Sequence, residues 1–312
     1  MHQAFQDIPV HSELLQGAYN AVHTCLRIQP DEHTVIITDE ETIEIGAALA
    51  HEIHNVGTSL DVYILEDFAQ RPLVDMPRQI LTDLEEAQVS IFAAQALRGE
   101  LGSRIQMTNV INRKKIRHAH MVNINKQIMV EGMRADFHAV DDLSTRLIEK
   151  ARTTRHIKAV SKGGTDIDVE FSDRLRWVKT SGIISRDKWG NLPGGEIFTA
   201  PNTLNGRFVV DGVVGDYLCQ KYGDLKHNPL CIDIIDNRIG SAECENKELQ
   251  QEFLAYTSTD ENSNRVGEFA IGTNIAVNEV IGHILQDEKL PGIHVAFGNP
   301  YGEHTGQTWD ST

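Results

Sequence analysis

An α/β fold is predicted, with an N-terminal parallel-sheet, Rossmann-like domain followed by a mixed, β-rich α/β domain. Three observations carry that prediction. Apolar β-branched runs alternate with helical spacings from about residue 33. After His156 the texture changes to short apolar stretches punctuated by Gly, Asn and Asp. The chain has 312 residues, 40% of them hydrophobic and 24% charged, which is enough apolar material for the cores of two ordinary domains.

His33-Thr34-Val35-Ile36-Ile37-Thr38-Asp39 has the composition of a strand buried on both faces. Thr42 to Val56 then shows helical spacing, with Gly57 as its C-cap. Leu60–Leu65, Val89–Ala94 and His118–Asn123 read as further strands, with helices near Pro77–Ala87 and Leu101–Asn112 between them. Strand-helix alternation at this interval indicates a parallel sheet covered by helices. The first βα turn, Thr38-Asp39-Glu40-Glu41-Thr42, contains no GxGxxG and no P-loop, so its acids read as the cap and first turn of a helix.

A long helical pattern from Lys126 to Thr153 reads as the connector, and the domains are placed at residues 1–130 and 131–312. In the second half, Asp166–Phe171, Arg207–Val214 and Cys231–Ile235 are strand candidates, with one helix around Lys247–Tyr256. No internal repeat or low-complexity segment is visible.

The net charge of -16 excludes a nucleic-acid surface, which needs clustered Lys and Arg, and leaves cation binding open. Cys25, Cys219, Cys231 and Cys244 are scattered without a CxxC pair, as in a reducing compartment. The opening MHQAFQDIPVHSELL lacks the pattern of a secretory leader, and no apolar run approaches membrane-spanning length. A soluble, cytoplasmic protein with no membrane partner is expected.

Three segments of the second half concentrate metal-competent side chains. In Asn191-Leu192-Pro193-Gly194-Gly195-Glu196-Ile197-Phe198-Thr199-Ala200-Pro201, a Pro-Gly-Gly turn delivers a single acid to one place. Glu196 is there a metal ligand, an acid/base group or the cap of a buried strand. Arg265-Val266-Gly267-Glu268-Phe269-Ala270 again sets an acid after a glycine, and Glu268 alone reads as a strand-end carboxylate. Gly292-Ile293-His294-Val295-Ala296-Phe297 puts His294 in an apolar strand, with Tyr301 following a Gly-Asn-Pro turn. Singly, His294 is a satisfied core histidine and Tyr301 is packing. Together they form a mixed oxygen and nitrogen set suited to zinc, cobalt or manganese.

Other constellations are weaker. His51-Glu52-Ile53-His54 misses the HExxH spacing by one residue. His118 and His120 share one face of a strand and are expected at a surface or interface. Asp166 and Asp168, after Gly163-Gly164-Thr165, are expected to cap a turn and its strand. No GxSxG occurs, and no cysteine carries a local catalytic signature.

On Gly163-Gly164-Thr165-Asp166, Asn191–Pro201, Gly267-Glu268-Phe269-Ala270 and His294-Val295-Ala296-Phe297-Gly298 with Tyr301, in that order, the chain resembles the thermophilic metalloaminopeptidases of the aminopeptidase T and aminopeptidase S family. The resemblance implies a two-metal exopeptidase, usually a homodimer, that removes N-terminal residues from peptides through a metal-activated water. Glu196, Glu268, His294 and Tyr301 would then sit at the metal site, with Glu196 and Tyr301 catalytic. The family commonly carries adjacent acids in the Pro-turn, where this chain has Gly195 before Glu196. Its members also have a His-x-Asp pair downstream of the tyrosine. This chain finishes Trp309-Asp310-Ser311-Thr312, so truncation ahead of that pair is expected, with His304 as the alternative ligand. Ring-opening dioxygenases acting on dihydroxypyridines share the resemblance and would use a single iron(II) on an aromatic small molecule. A non-catalytic binding member is the third reading.

Overall fold

The computed structural model describes Phe5 and residues 7–311. The absence of a leader, read from the first fifteen residues, falls partly outside them, as does Thr312. The chain divides into two compact units, Met1–Asp141 with Gly182–Gly194, and Asp142–Ser181 with Gly195–Thr312. As predicted, the fold is mixed α/β, with a parallel sheet in the first unit and antiparallel sheets in the second.

In the first unit the sheet runs Ser59–Ile64, His33–Thr38, Val89–Ala93, Arg117–His120 and the short edge Gly190–Asn191, with every neighbouring pair parallel. Val35, Ile36 and Ile37 are fully buried, as a central strand covered by helices on both faces requires. The helix Ile43–Val56 ends at Gly57, whose φ of 83° is the left-handed C-cap expected of it. Asp39 closes the first βα turn. One of its oxygens accepts from the Thr42 N–H at 2.9 Å, and the other binds Arg71 and the Gln95 N–H.

Two readings are corrected here and one unpredicted element is added. The Lys126–Thr153 pattern is not one helix. It splits into Lys126–Val130, a 3-10 turn at Gly132–Arg134 and Phe137–Ala151. Ala135 is extended, and the Asp136 carboxylate accepts from the N–H groups of His138 and Ala139, restarting the helix. An amphipathic period survives such a break, which is why the spacing hid it. Second, His118 and His120 lie in the core and not at a surface. His118 takes Ser90 Oγ at 2.9 Å on Nδ1 and His120 Nδ1 at 3.2 Å on Nε2, while His120 stacks on Phe92 and abuts Trp189. The hydroxyl, the second imidazole and the aromatic rings satisfy a pair that spacing alone assigned to solvent. Third, a helix, Ser12–Tyr19, extended by π-helical residues Asn20–Cys25, precedes the first strand unannounced.

The second unit holds two antiparallel sheets. One runs Arg238–Glu243, Leu230–Ile235, Thr203–Val210, Asp166–Glu170 and His156–Val160. The other runs Ile293–Phe297, Val266–Gly272, Glu196–Thr199 and Val178–Thr180. Both contribute to one core that joins Ile167, Val169, Leu204 and Ile232 to Val266 and Phe269. Asp166 and Asp168 cap nothing. They are exposed on their strand and pair with Lys158 and His156, and the preceding turn is closed by Ser161 Oγ accepting from the Thr165 N–H. The helix Lys247–Tyr256 is present with Asn246 as its N-cap, and a second helix, Asp216–Tyr222, accompanies it. No helix among the described residues is long and apolar enough to cross a membrane.

Candidate metal centre

The geometry of the smaller sheet assembles the site. Val266–Gly272 is one of its two inner strands, with Glu196 opposite Gly272 on one side and His294 opposite Ala270 on the other. Side chains alternate faces along a strand, so positions 268, 270 and 272 share a face. Glu196 and His294, registered against 272 and 270, project on that same face, as does Glu268. The period-2 rule thus converts three distant segments into one cluster.

Ligand atoms of Glu196, Glu268 and His294 all lie within 4.8 Å of one another. His294 Nε2 stands 3.1 Å from Glu268 Oε1 and 3.4 Å from Glu196 Oε2. Burial works against charge on His294, but the two carboxylates outweigh it and raise its pKa. Burial likewise pushes Glu196 up, and Lys289 and His294 bring it below the usual range. Thr180 Oγ1 donates to Glu196 Oε1 at 2.9 Å, fixing the carboxylate from the neighbouring strand.

The donor set fits a divalent metal. Two carboxylate oxygens and an imidazole nitrogen at this separation could hold one ion, and three protein ligands is the number that catalytic zinc sites use. Tyr301 follows the Gly298-Asn299-Pro300 turn with φ of 49°, and its ring meets Phe198 edge-on at 5.8 Å. The residue is 48% exposed overall, but desolvation at its hydroxyl end and the fields of Glu268, Glu288 and Glu196 push the phenol pKa up, so the hydroxyl stays protonated at neutral pH. His304 lies in a short helix at Gly302–Thr305, outside the three-residue group. Among the described residues, neither His51 nor His54 joins such a group; Glu52 between them pairs with His23.

Sequence reasoning missed Lys289. It is only 1% exposed, and its Nζ donates to Glu196 Oε1 at 2.7 Å and lies 2.6 Å from Glu288 Oε1. Nothing local marks it, because Asp287-Glu288-Lys289 reads as an ordinary solvated charge run. Gly195 is explained by the same neighbourhood. Its φ is 133°, and a Cβ there would stand 2.7 Å from Asn274 Cβ and 2.8 Å from Asn274 N. No side chain fits there without displacing Asn274. A cleft of about 770 Å³ opens onto His294, Glu288 and Tyr301, with walls from Phe208, Val214 and Val295.

The fold is mixed α/β, and Glu196, Glu268 and His294 form a candidate metal site on it. The sequence profile of the thermophilic metalloprotease (M29) family matches residues 121–311, and the chain belongs to that family. Among solved structures, it is similar to wild-type AmpT from Thermus thermophilus, with a TM-score of 0.67 at 16% identity over 93% of this chain and 86% of that one. It is also similar to 2,5-dihydroxypyridine dioxygenase from Pseudomonas putida KT2440, with a TM-score of 0.61 at 12% identity over 85% and 77% of the two chains. At these identities the likeness concerns the fold. A comparison with curated proteins returns no match.

Proposed function

We propose that the chain is a metalloaminopeptidase, cleaving N-terminal residues from peptides at a divalent metal held by Glu196, Glu268 and His294. One observation carries the reading: two carboxylates and an imidazole converge on one sheet face in a member of a metalloprotease family. A divalent ion there supplies Lewis acidity and a water acidic enough to attack near neutral pH.

The chain's own residues supply the remainder. Glu196, held by Thr180 and Lys289, keeps a fixed orientation, with Oε2 turned toward His294. Glu288 lines the cleft beside the site and offers a carboxylate oxygen to the α-ammonium of a peptide, as an exopeptidase requires. The Tyr301 hydroxyl, held protonated, donates toward negative charge developing on a carbonyl oxygen. The apolar walls of the cleft suit an apolar N-terminal side chain. The donor set also weighs against the dioxygenase reading, because the usual triad of non-haem iron(II) oxygenases has two imidazoles and one carboxylate.

The test is hydrolysis of leucine 4-nitroanilide by protein dialysed against zinc, cobalt or manganese, with metal content measured on the same samples. Glu196→Gln and His294→Ala should each cut turnover by at least about 100-fold and lower metal occupancy. Unchanged turnover and metal content in both variants would exclude this site. Oxygen-dependent consumption of a dihydroxypyridine with bound iron would transfer the assignment to ring cleavage. Neither metal nor turnover would leave a binding protein.

A further inference from the structure

We infer that Lys289 is a built-in cation standing in one of the two cation positions of the site, so that the centre takes a single divalent ion. The inference rests on the metal-binding reading above and replaces the two-metal expectation drawn from the family resemblance.

The lysine is placed by the backbone and does not merely reach in. Its carbonyl accepts from the Asn274 N–H at 3.0 Å, and the next turn of chain presses on the inner strand Val266–Gly272. A Cβ on Gly272 would lie 1.9 Å from Leu290 O and 2.9 Å from Lys289 C. Gly272 is the residue registered opposite Glu196, so the missing side chain lets the Lys289 segment lie beside that carboxylate. Gly195 acts in the same direction from the other side. Its carbonyl accepts from the Thr273 N–H at 2.8 Å, and its lack of a Cβ admits Asn274, which holds Lys289. Two glycines of the site therefore seat one ammonium.

With Nζ at 2.7 Å, the ammonium occupies the space a metal on Glu196 Oε1 would need, since a metal-carboxylate bond is about 2.0–2.2 Å. Glu196 Oε2 faces His294 Nε2, and Glu268 Oε1 faces the same nitrogen, so one ion fits among those three. With His294 neutral as a ligand, three carboxylates (Glu196, Glu268, Glu288) against one ammonium leave two negative charges, the complement of one divalent ion. Lys289 thus supplies beside Glu196 the second positive charge that a second metal would otherwise bring to the site.

The test is metal stoichiometry by plasma mass spectrometry after equilibrium dialysis of the full chain against zinc or cobalt, with the visible spectrum of the cobalt form as a second readout. One ion per chain is expected for the wild type and for Lys289→Arg, which keeps the charge. Lys289→Met should accept a second ion or hold the first at least roughly tenfold more tightly, because a nearby positive charge is gone. Two ions in the wild type or in Lys289→Arg overturn the inference while leaving the metalloprotease reading intact. One ion at unchanged affinity in a folded Lys289→Met protein also overturns it. No ion in the wild type overturns the metal reading itself, and this inference with it. Should Lys289→Met fail to fold, the wild type and Lys289→Arg decide the matter.

Discussion

Gly195→Ala is the perturbation whose size the structure determines most directly. The residue sits at φ of 133°, where only glycine is comfortable, and forcing alanine there costs about 1–3 kcal/mol. The added Cβ also meets Asn274 Cβ, N and Cα at 2.7, 2.8 and 2.9 Å. These are backbone-anchored atoms, so Asn274 must shift, and overpacking of that kind costs about another 1–3 kcal/mol. Together the expected loss is about 2–6 kcal/mol. A folding unit of this size drops roughly 2–4 °C per kcal/mol, so its melting midpoint should fall by roughly 4–24 °C. Gly57→Ala is the control: φ is 83° and no heavy atom lies within 4 Å of the added Cβ, so only about 1 kcal/mol is at stake. Scanning calorimetry of metal-free protein reads both. A Gly195→Ala midpoint no lower than that of Gly57→Ala would refute the claim that Asn274 leaves no room.

Two further outcomes concern the first unit. Arg71 ties together Asp39, Glu100 and the Gln95 carbonyl, with side-chain exposures of 5%, 1% and 4% for Arg71, Asp39 and Glu100. Arg71→Met strands two buried carboxylates and should destabilise the unit by about 3–5 kcal/mol in urea titrations at neutral pH; a loss below about 1 kcal/mol would show the network to be dispensable. Burial lowers both His118 and His120, the latter to about 3, so the folded state stays neutral while the unfolded chain takes up protons below 6.5. Stability should therefore be flat above pH 7 and decline between pH 6.5 and 3, by up to about 1.4 kcal/mol per pH unit for each histidine. A flat stability profile down to pH 4.5 would contradict that burial.

Local pattern and physical chemistry carried a large part of this protein in one dimension. β-Branched runs such as Val35-Ile36-Ile37 commit to a strand buried on both faces wherever the chain goes. Gly57 announces the end of its helix because only a left-handed residue caps it there. Glu196, Glu268 and His294 each read singly as an ordinary cap, strand-end or core residue, and only their combination and order singled them out. The order of the segments pointed to the family.

Only tertiary structure decided what met what. Pairing register, set by hydrogen bonds between segments far apart in the chain, put positions 196, 268 and 294 on one face. Lys289 was invisible because a charged residue in Asp287-Glu288-Lys289 carries no mark of burial until Gly272 lets its backbone approach Glu196. His118 and His120 were misplaced for the converse reason: Ser90, Phe92 and Trp189, which make the interior hospitable to them, come from other strands and loops. Sequence periodicity reports which face a side chain occupies, and the identity of its partner is a property of the folded chain alone.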